Sequence, residues 1–369
     1  MAAVFPTEAS GLSLELLNAI VAEQCPGARL SGFEVLQAKS YGEQMVSTAG
    51  RALLELRYAP GSPSDLPTRV ILKLALGENG PDYANIVGAL YANEVEFYRR
   101  LRGEIGVEAP RTLGASYDPA SSHFGLLLED LTVRSAVFPN VLREVTLAQV
   151  QGLLSTLATL HARYWRSDRF GSDLSWVQTH REGGVAQLLY GLSPAFIQHQ
   201  IDTVSFKREM VQRLRTTGPQ MLAGVLALHR HQARLPQTLL HGDSHIGNTY
   251  LLPGARGGLV DWQLMVRGHC MHDVSYLITT ALSIEARRQH EGALLHYYLD
   301  QLRARGVADP PDFEAAWKEM GRCLVWGVYI GWLTTPITNY GWEINVMNHL
   351  RLTTAYEDHD TSRLVAEIL

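Results

Sequence analysis

Between Leu239 and Gln263 the chain reads LLHGDSHIGNTYLLPGARGGLVDWQ, the stretch that most limits what this sequence can fold into. Two polar clusters, His241-Gly242-Asp243-Ser244-His245-Ile246-Gly247-Asn248 and Asp261-Trp262-Gln263, are each entered from an apolar run. Leu239 and Leu240 lead into the first. Thr249 to Leu252 is apolar enough for a strand, and Gly257-Gly258 turns the chain before Leu259-Val260 delivers the second. The pattern predicts loop, hairpin, loop, with both acids at strand ends, set inside a region that is otherwise helical.

The chain has 369 residues, long for one core and short for three domains, so two lobes are expected. Hydrophobic residues make up 46% and charged residues 19%, the balance of an ordinary globular protein. With 32 basic against 37 acidic residues and no Lys/Arg run, nothing offers a row of cations to phosphates, which excludes nucleic acid as the main partner. Cys25, Cys270 and Cys323 are odd in number and scattered, giving neither a disulfide framework nor a CxxC metal pair; a cytoplasmic protein is expected. The first 24 residues lack a positive leader and carry acids in their apolar part, unlike a signal peptide. The most apolar run, Cys323 to Leu333, is 11 residues long, too short to cross a bilayer, and reads as a buried helix; no membrane partner is expected.

Apolar spacing predicts a leading helix over 12–24. Strand-like runs follow at Phe33 to Ala38, Ala52 to Tyr58, Arg69 to Ala75, Arg111 to Tyr117 and Phe124 to Leu128. A helix over about 83–102 interrupts them, with Glu94, Phe97, Tyr98 and Leu101 on one face. Thr146 and Gln149 form a capping box, and helical periodicity continues through 184–201, 204–232, 272–305, 311–334 and 343–368. The fold class expected is α+β: residues 1–131 as a small lobe with a five-stranded antiparallel sheet and one main helix, then residues 132–369 as a larger helical lobe.

His241, Asp243 and Asn248 match the H-x-D-x-x-x-x-N arrangement of kinase catalytic loops. One carboxylate must accept or orient the proton of an attacking hydroxyl, while an amide oxygen helps hold a metal bound to nucleotide phosphates. Asp261 supplies a second hard oxygen of the kind Mg²⁺ prefers. Acids and amides are also common in turns for local reasons, and His241 reads better as a hydrogen-bonded scaffold than as a proton carrier. His245 is open between packing and substrate contact.

HGDSHIGN followed by LVDWQ resembles the phosphotransferase family that includes aminoglycoside phosphotransferases, choline kinases and ecdysteroid-kinase-like proteins. The resemblance implies a protein-kinase-like bilobal fold and transfer of the γ-phosphoryl group of ATP to a hydroxyl of a small molecule, with ATP and Mg²⁺ as cofactors. It makes Asp243 the catalytic base and Asn248 and Asp261 the metal ligands, with His241 in support. Trp262-Gln263, where protein kinases carry Phe-Gly, points to the small-molecule branch. Asp273 matches an aspartate that braces the catalytic loop in this fold.

In the first lobe Lys73 is the only lysine of the third strand-like run, where apolar neighbours make an unpaired cation costly. The resemblance makes it the lysine on the α- and β-phosphates and Glu94 its ion-pair partner. By the same resemblance the backbone of Glu129 and Leu131 meets the adenine edge. Gly42, Ser47 and Thr48 could present donors to phosphate, although this is not GxGxxG and a plain hairpin explains the glycine equally.

Two rival readings remain at this level. A nucleotide-binding pseudoenzyme would have no need to keep Lys73, Glu94, Asp243, Asn248 and Asp261 together. A metal-dependent hydrolase built on His241, Asp243 and His245 lacks a second histidine cluster beyond His269 and His272. Trp326, Tyr329, Trp332, Tyr340 and Trp342 could line an acceptor pocket or fill a core, and neither the acceptor nor the oligomeric state follows from the sequence.

Overall fold

Alternation of apolar and polar residues in the first third of the chain builds one sheet. In the computed structural model, which describes residues 4–39, 49–75 and 80–369, β1 (Leu30–Lys39), β2 (Ala49–Tyr58), β3 (Arg69–Ala75), β4 (Thr112–Asp118) and β5 (His123–Glu129) are all antiparallel, in the order β1-β2-β3-β5-β4. Gly42, Ser47 and Thr48 lie outside the described residues. Period-two geometry sends Val70, Leu72 and Leu74 of β3 to one face and Lys73 to the other. The apolar face packs on the leading helix α1 (Leu14–Gln24) through Leu17, Ile20 and Val21, with Leu54, Leu56, Leu113 and Leu127 completing the core. Ser13 caps α1, its hydroxyl accepting from the Leu16 N–H at 3.1 Å.

The second helix, α2 (Gly80–Glu96), begins three residues before the periodicity suggested and ends in a π-helical turn, Phe97–Leu101. The wider turn rotates the following side chains, and Phe97, Tyr98 and Leu101 are all buried. Tyr91 of α2 stacks on Phe124 of β5, with ring centroids 4.3 Å apart. This sheet unit comprises Met1–Ile105 and Ala109–Ala136; Gly106–Glu108 and Val137–Leu369 form the other.

The other unit is helical: α3 (Leu147–Arg163), α4 (Ser193–Thr203), α5 (Ser205–Arg213), α6 (Gly218–Gln232), α7 (Met271–Ala281), α8 (Ile284–Ala304), α9 (Phe313–Trp326), α10 (Trp342–Asp358) and α11 (Thr361–Ala366). Thr146 and Gln149 close both hydrogen bonds of the capping box on α3. Several stretches that read as single helices are broken where a side chain offers a cap. Thr217 caps α6 with Pro219 in its first turn, and Ser283 caps α8, its hydroxyl accepting from Ala286 N–H at 3.2 Å. The apolar run after Cys323 ends α9 and continues as a buried π-helical turn, Gly327–Trp332. Among the described residues, no helix is long and apolar enough to cross a membrane.

Two short antiparallel pairs interrupt the helices: β6 (Thr238–Leu240) with β9 (Val266–Gly268), and between them the hairpin of β7 (Thr249–Leu252) with β8 (Arg256–Leu259). α3 presses directly on the turn between β7 and β8, where a Cβ on Gly152 would come within 1.9 Å of the Ala255 carbonyl oxygen. All eleven residues of α7 are buried, making it the axis on which the polar loops rest.

Candidate active site

The two polar clusters converge because one residue ties them together. Val260, which ends the run from β8, gives its N–H to the Asn248 carbonyl at 2.9 Å, and its own carbonyl accepts from His241 Nε2 at 2.9 Å. Both ends of the 241–248 loop are thus pinned to the residue preceding Asp261. Asp261 itself adopts a left-handed backbone, φ +66, an uncommon conformation for an acid that turns the chain sharply into the turn Trp262–Leu264.

Within the loop Asn248 Nδ2 donates to the Asp243 carbonyl and to Asp243 Oδ2, each at 2.9 Å. That use of the amide nitrogen leaves Oδ1 as the acceptor of the Asn248 side chain. Burial, and next the negative charge of Asp261, push the Asp243 carboxyl up to about 8, while the Asn248 hydrogen bond pulls in the opposite direction. Two half-buried carboxylates beside a buried amide would take a divalent cation with hard-oxygen preference.

The loop is held from behind by the first turn of α7. Asp273 Oδ2 accepts from the His241 N–H at 2.7 Å and Oδ1 from the Gly242 N–H at 2.9 Å. Burial alone would raise the Asp273 carboxyl, yet the hydrogen bond from His161 Nε2 at 3.1 Å and the surrounding imidazoles hold it below the usual range. His272 completes the grip, donating Nε2–H to the Gly242 carbonyl at 3.0 Å. Gly242 takes φ +83 and leaves no room for a Cβ, which would meet the Leu264 carbonyl oxygen at 1.9 Å.

The histidines are spoken for by backbone. His241 Nδ1 accepts from the Asp243 N–H at 3.3 Å, and His245 Nδ1 from the Gly247 N–H at 3.1 Å. Burial lowers both, His245 to about 4, so they are neutral near pH 7. Among the described residues no group of three His, Cys, Asp or Glu side chains is gathered. His245 lies against Tyr276 and Trp332 at 5.7 and 5.8 Å, and Trp332 against Tyr340 at 5.7 Å. Trp326 is packed into the core, 1% exposed, whereas Trp342 is 58% exposed.

In the sheet unit Lys73 Nζ lies 2.7 Å from Glu94 Oε2, both side chains buried. The strand pointed Lys73 away from the apolar core, and α2 meets it there. At the end of β5, Glu129 Oε1 accepts from the Arg111 N–H at 2.8 Å, and Asp130 caps the turn Leu131–Arg134 through Thr132. The Leu131 N–H, first in that turn, has no intrahelical partner by position. No local sequence pattern signals the grip of His272 on Gly242 or of His161 on Asp273. His272 neighbours Asp273 in sequence, but its direction depends on how α7 packs.

A sheet unit with a buried Lys–Glu pair and a helical unit with an Asp–Asn loop tied to a second aspartate make the α+β plan of a kinase-like phosphotransferase. The chain belongs to the ecdysteroid kinase-like family, whose model matches residues 41–306. Its fold is similar to that of choline kinase LicA from Streptococcus pneumoniae, with TM-score 0.49 and 15% identity over 88% of this chain and 94% of that one. It is also similar to an ethanolamine kinase from Plasmodium vivax, with TM-score 0.49 and 10% identity over 89% and 83%. An aminoglycoside-3'-phosphotransferase of type VIII gives TM-score 0.47 and 15% identity over 83% and 95%. A Caenorhabditis elegans protein described as uncharacterized oxidoreductase dhs-27 is 22% identical over 282 residues, which are 68% of this chain and 32% of that protein. The chain therefore spans about a third of that relative's length.

Proposed function

We propose that the protein is an ATP-dependent phosphotransferase that moves the γ-phosphoryl group to a hydroxyl of a small molecule. The observation that carries this reading is the double hydrogen bond of Val260, which fixes Asp261 beside the loop holding Asp243 and Asn248. In it Asp243 orients the acceptor hydroxyl and takes its proton as the carboxylate, the form that the Asn248 amide favours and that a cation offsetting the Asp261 charge would favour further. Asn248, through Oδ1, and Asp261 are the residues that would hold Mg²⁺. Bound there, the ion would supply neutralisation of the charge on the β- and γ-phosphate oxygens. Lys73, kept in place by Glu94, meets the α- and β-phosphates, and the backbone of Glu129 and Leu131 meets the adenine. Family membership supports the same reading. Three buried free cysteines suit a reducing, cytoplasmic setting.

The test is ATP consumption over a panel of hydroxylated metabolites, amino alcohols, sterols and aminoglycosides, with Asp243→Ala as the blank. Turnover with one acceptor class, reduced by about 10²–10⁴ in the variant, is expected. An Asp243→Ala protein that phosphorylates the same acceptor as fast as the parent would sink the assignment.

A further inference from the structure

Beside the β6–β9 pair, within the helical unit, lies a cavity of about 110 Å³ lined by Arg267 of β9, His229 of α6, His269, and His180, Arg181 and Glu182 of the preceding loop. Several polar atoms in its walls have no hydrogen-bond partner among the described residues. Among the described residues the Arg267 guanidinium has no ion pair, and its enclosed Nε has no hydrogen-bond partner; the Phe170 ring, 5.5 Å from Cζ, supports it from one side. Glu182 stands exposed and makes no ion pair with it. His229 and His269 are 3% and 2% exposed, and the Nδ1 of each is without a partner, as is His180 Nε2.

The imidazoles are held in a fixed arrangement. His180 and His229 stack with centroids 4.3 Å apart and planes 9° from parallel. The Tyr190 hydroxyl bridges His180 Nδ1 at 3.3 Å and His229 Nε2 at 2.8 Å while accepting from Trp326 Nε1 at 3.2 Å. Tyr190 has one proton to give, so it donates to one ring and accepts from the other. Burial keeps both rings neutral. Either way, one of the two outer nitrogens, His229 Nδ1 or His180 Nε2, carries an N–H and the other a lone pair.

A half-buried guanidinium with no ion pair among the described residues, lining the same cavity as an imidazole N–H without an acceptor, is the inverse image of an anion. We propose that this cavity binds a small oxyanion, a phosphate or carboxylate group taken by the fork of Arg267 and by the free N–H of the His180–His229 pair. A planar fork suits two oxygens of either group, and the volume admits an anion of a few heavy atoms. The site is separate from Asp243, Asn248 and Asp261, and it stands whether or not the phosphotransfer reading does.

Titration of the full chain with inorganic phosphate and, separately, acetate, followed by long-range ¹H–¹⁵N spectra of the imidazoles, tests it. Saturable shifts of the His180 and His229 ring nitrogens are expected with at least one anion, and the tighter of the two identifies the group. Arg267→Gln should weaken that binding by about tenfold or more, and Arg267→Lys, which keeps the charge without the fork, by less. If neither anion moves those signals saturably in the parent protein, or if a folded Arg267→Gln variant binds as tightly, the proposal is overturned.

Discussion

His272 Nε2 lies 3.0 Å from the Gly242 carbonyl oxygen, so α7 donates to the same dipeptide whose two N–H groups its neighbour Asp273 accepts. The loop carrying Asp243 is therefore oriented from one helical turn, by donors and acceptors together. His272→Ala should cost about 1–3 kcal/mol by leaving that carbonyl buried without its donor. It should also lower kcat by about tenfold while KM for ATP hardly changes, because position rather than nucleotide contact is lost. His272→Gln, whose amide can still donate, should recover part of kcat. Urea melts and steady-state kinetics on the three proteins check this.

Gly242→Ala tests the same dipeptide from the other side. The left-handed backbone and the contact with the Leu264 carbonyl both oppose a methyl group, so a loss of about 2–5 kcal/mol is expected. Denaturant unfolding measures it, and a loss below about 0.5 kcal/mol would contradict the tight approach.

The Lys73–Glu94 pair is buried, so breaking one side should hurt more than replacing both. Glu94→Ala should destabilise by about 3–5 kcal/mol, whereas Lys73→Met combined with Glu94→Leu should regain most of that loss. Both proteins should fail to turn over ATP. A double-mutant cycle read by thermal unfolding, with turnover measured alongside, separates the structural from the functional part.

Lys207 gives a pH dependence with a defined sign. Its side chain is wholly buried, its Nζ bound at 2.6 Å to the Thr335 carbonyl and at 3.2 Å to those of Leu333 and the Gln200 side chain, and burial lowers it to about 7. Between about 7 and the ordinary lysine value near 10.4 the unfolded chain binds the extra proton, so this residue's contribution to stability rises with pH across that window. The difference in unfolding free energy between the parent and Lys207→Met should grow across it, by at most about 1.4 kcal/mol per pH unit. A difference that stays flat from pH 7 to about 10 would contradict a depressed Lys207.

Much of this was legible in the residues because it rests on local rules. Period two placed Lys73 on the face opposite Val70, Leu72 and Leu74, the capping box marked the start of α3, and the spacing from His241 to Asn248 to Asp261 marked a loop, hairpin and loop. Helix ends were less legible, since Thr217 and Ser283 interrupt apolar patterns that by periodicity alone would continue. Side-chain caps compete with the helix over one or two residues, and their outcome depends on what each neighbouring turn can bury.

By itself, then, the sequence determined the α+β division, the strand runs and the identity of the Asp243, Asn248 and Asp261 cluster, because each follows from spacing along the chain. Only the tertiary structure decided that Val260 would tie the two polar loops together, that α7 would reach Gly242 through His272, and that Arg267 would line one cavity with His180 and His229, with no carboxylate pairing it among the described residues. These are contacts between residues tens of positions apart, fixed by how buried helices pack and by which buried polar groups find partners, and no local pattern encodes that choice.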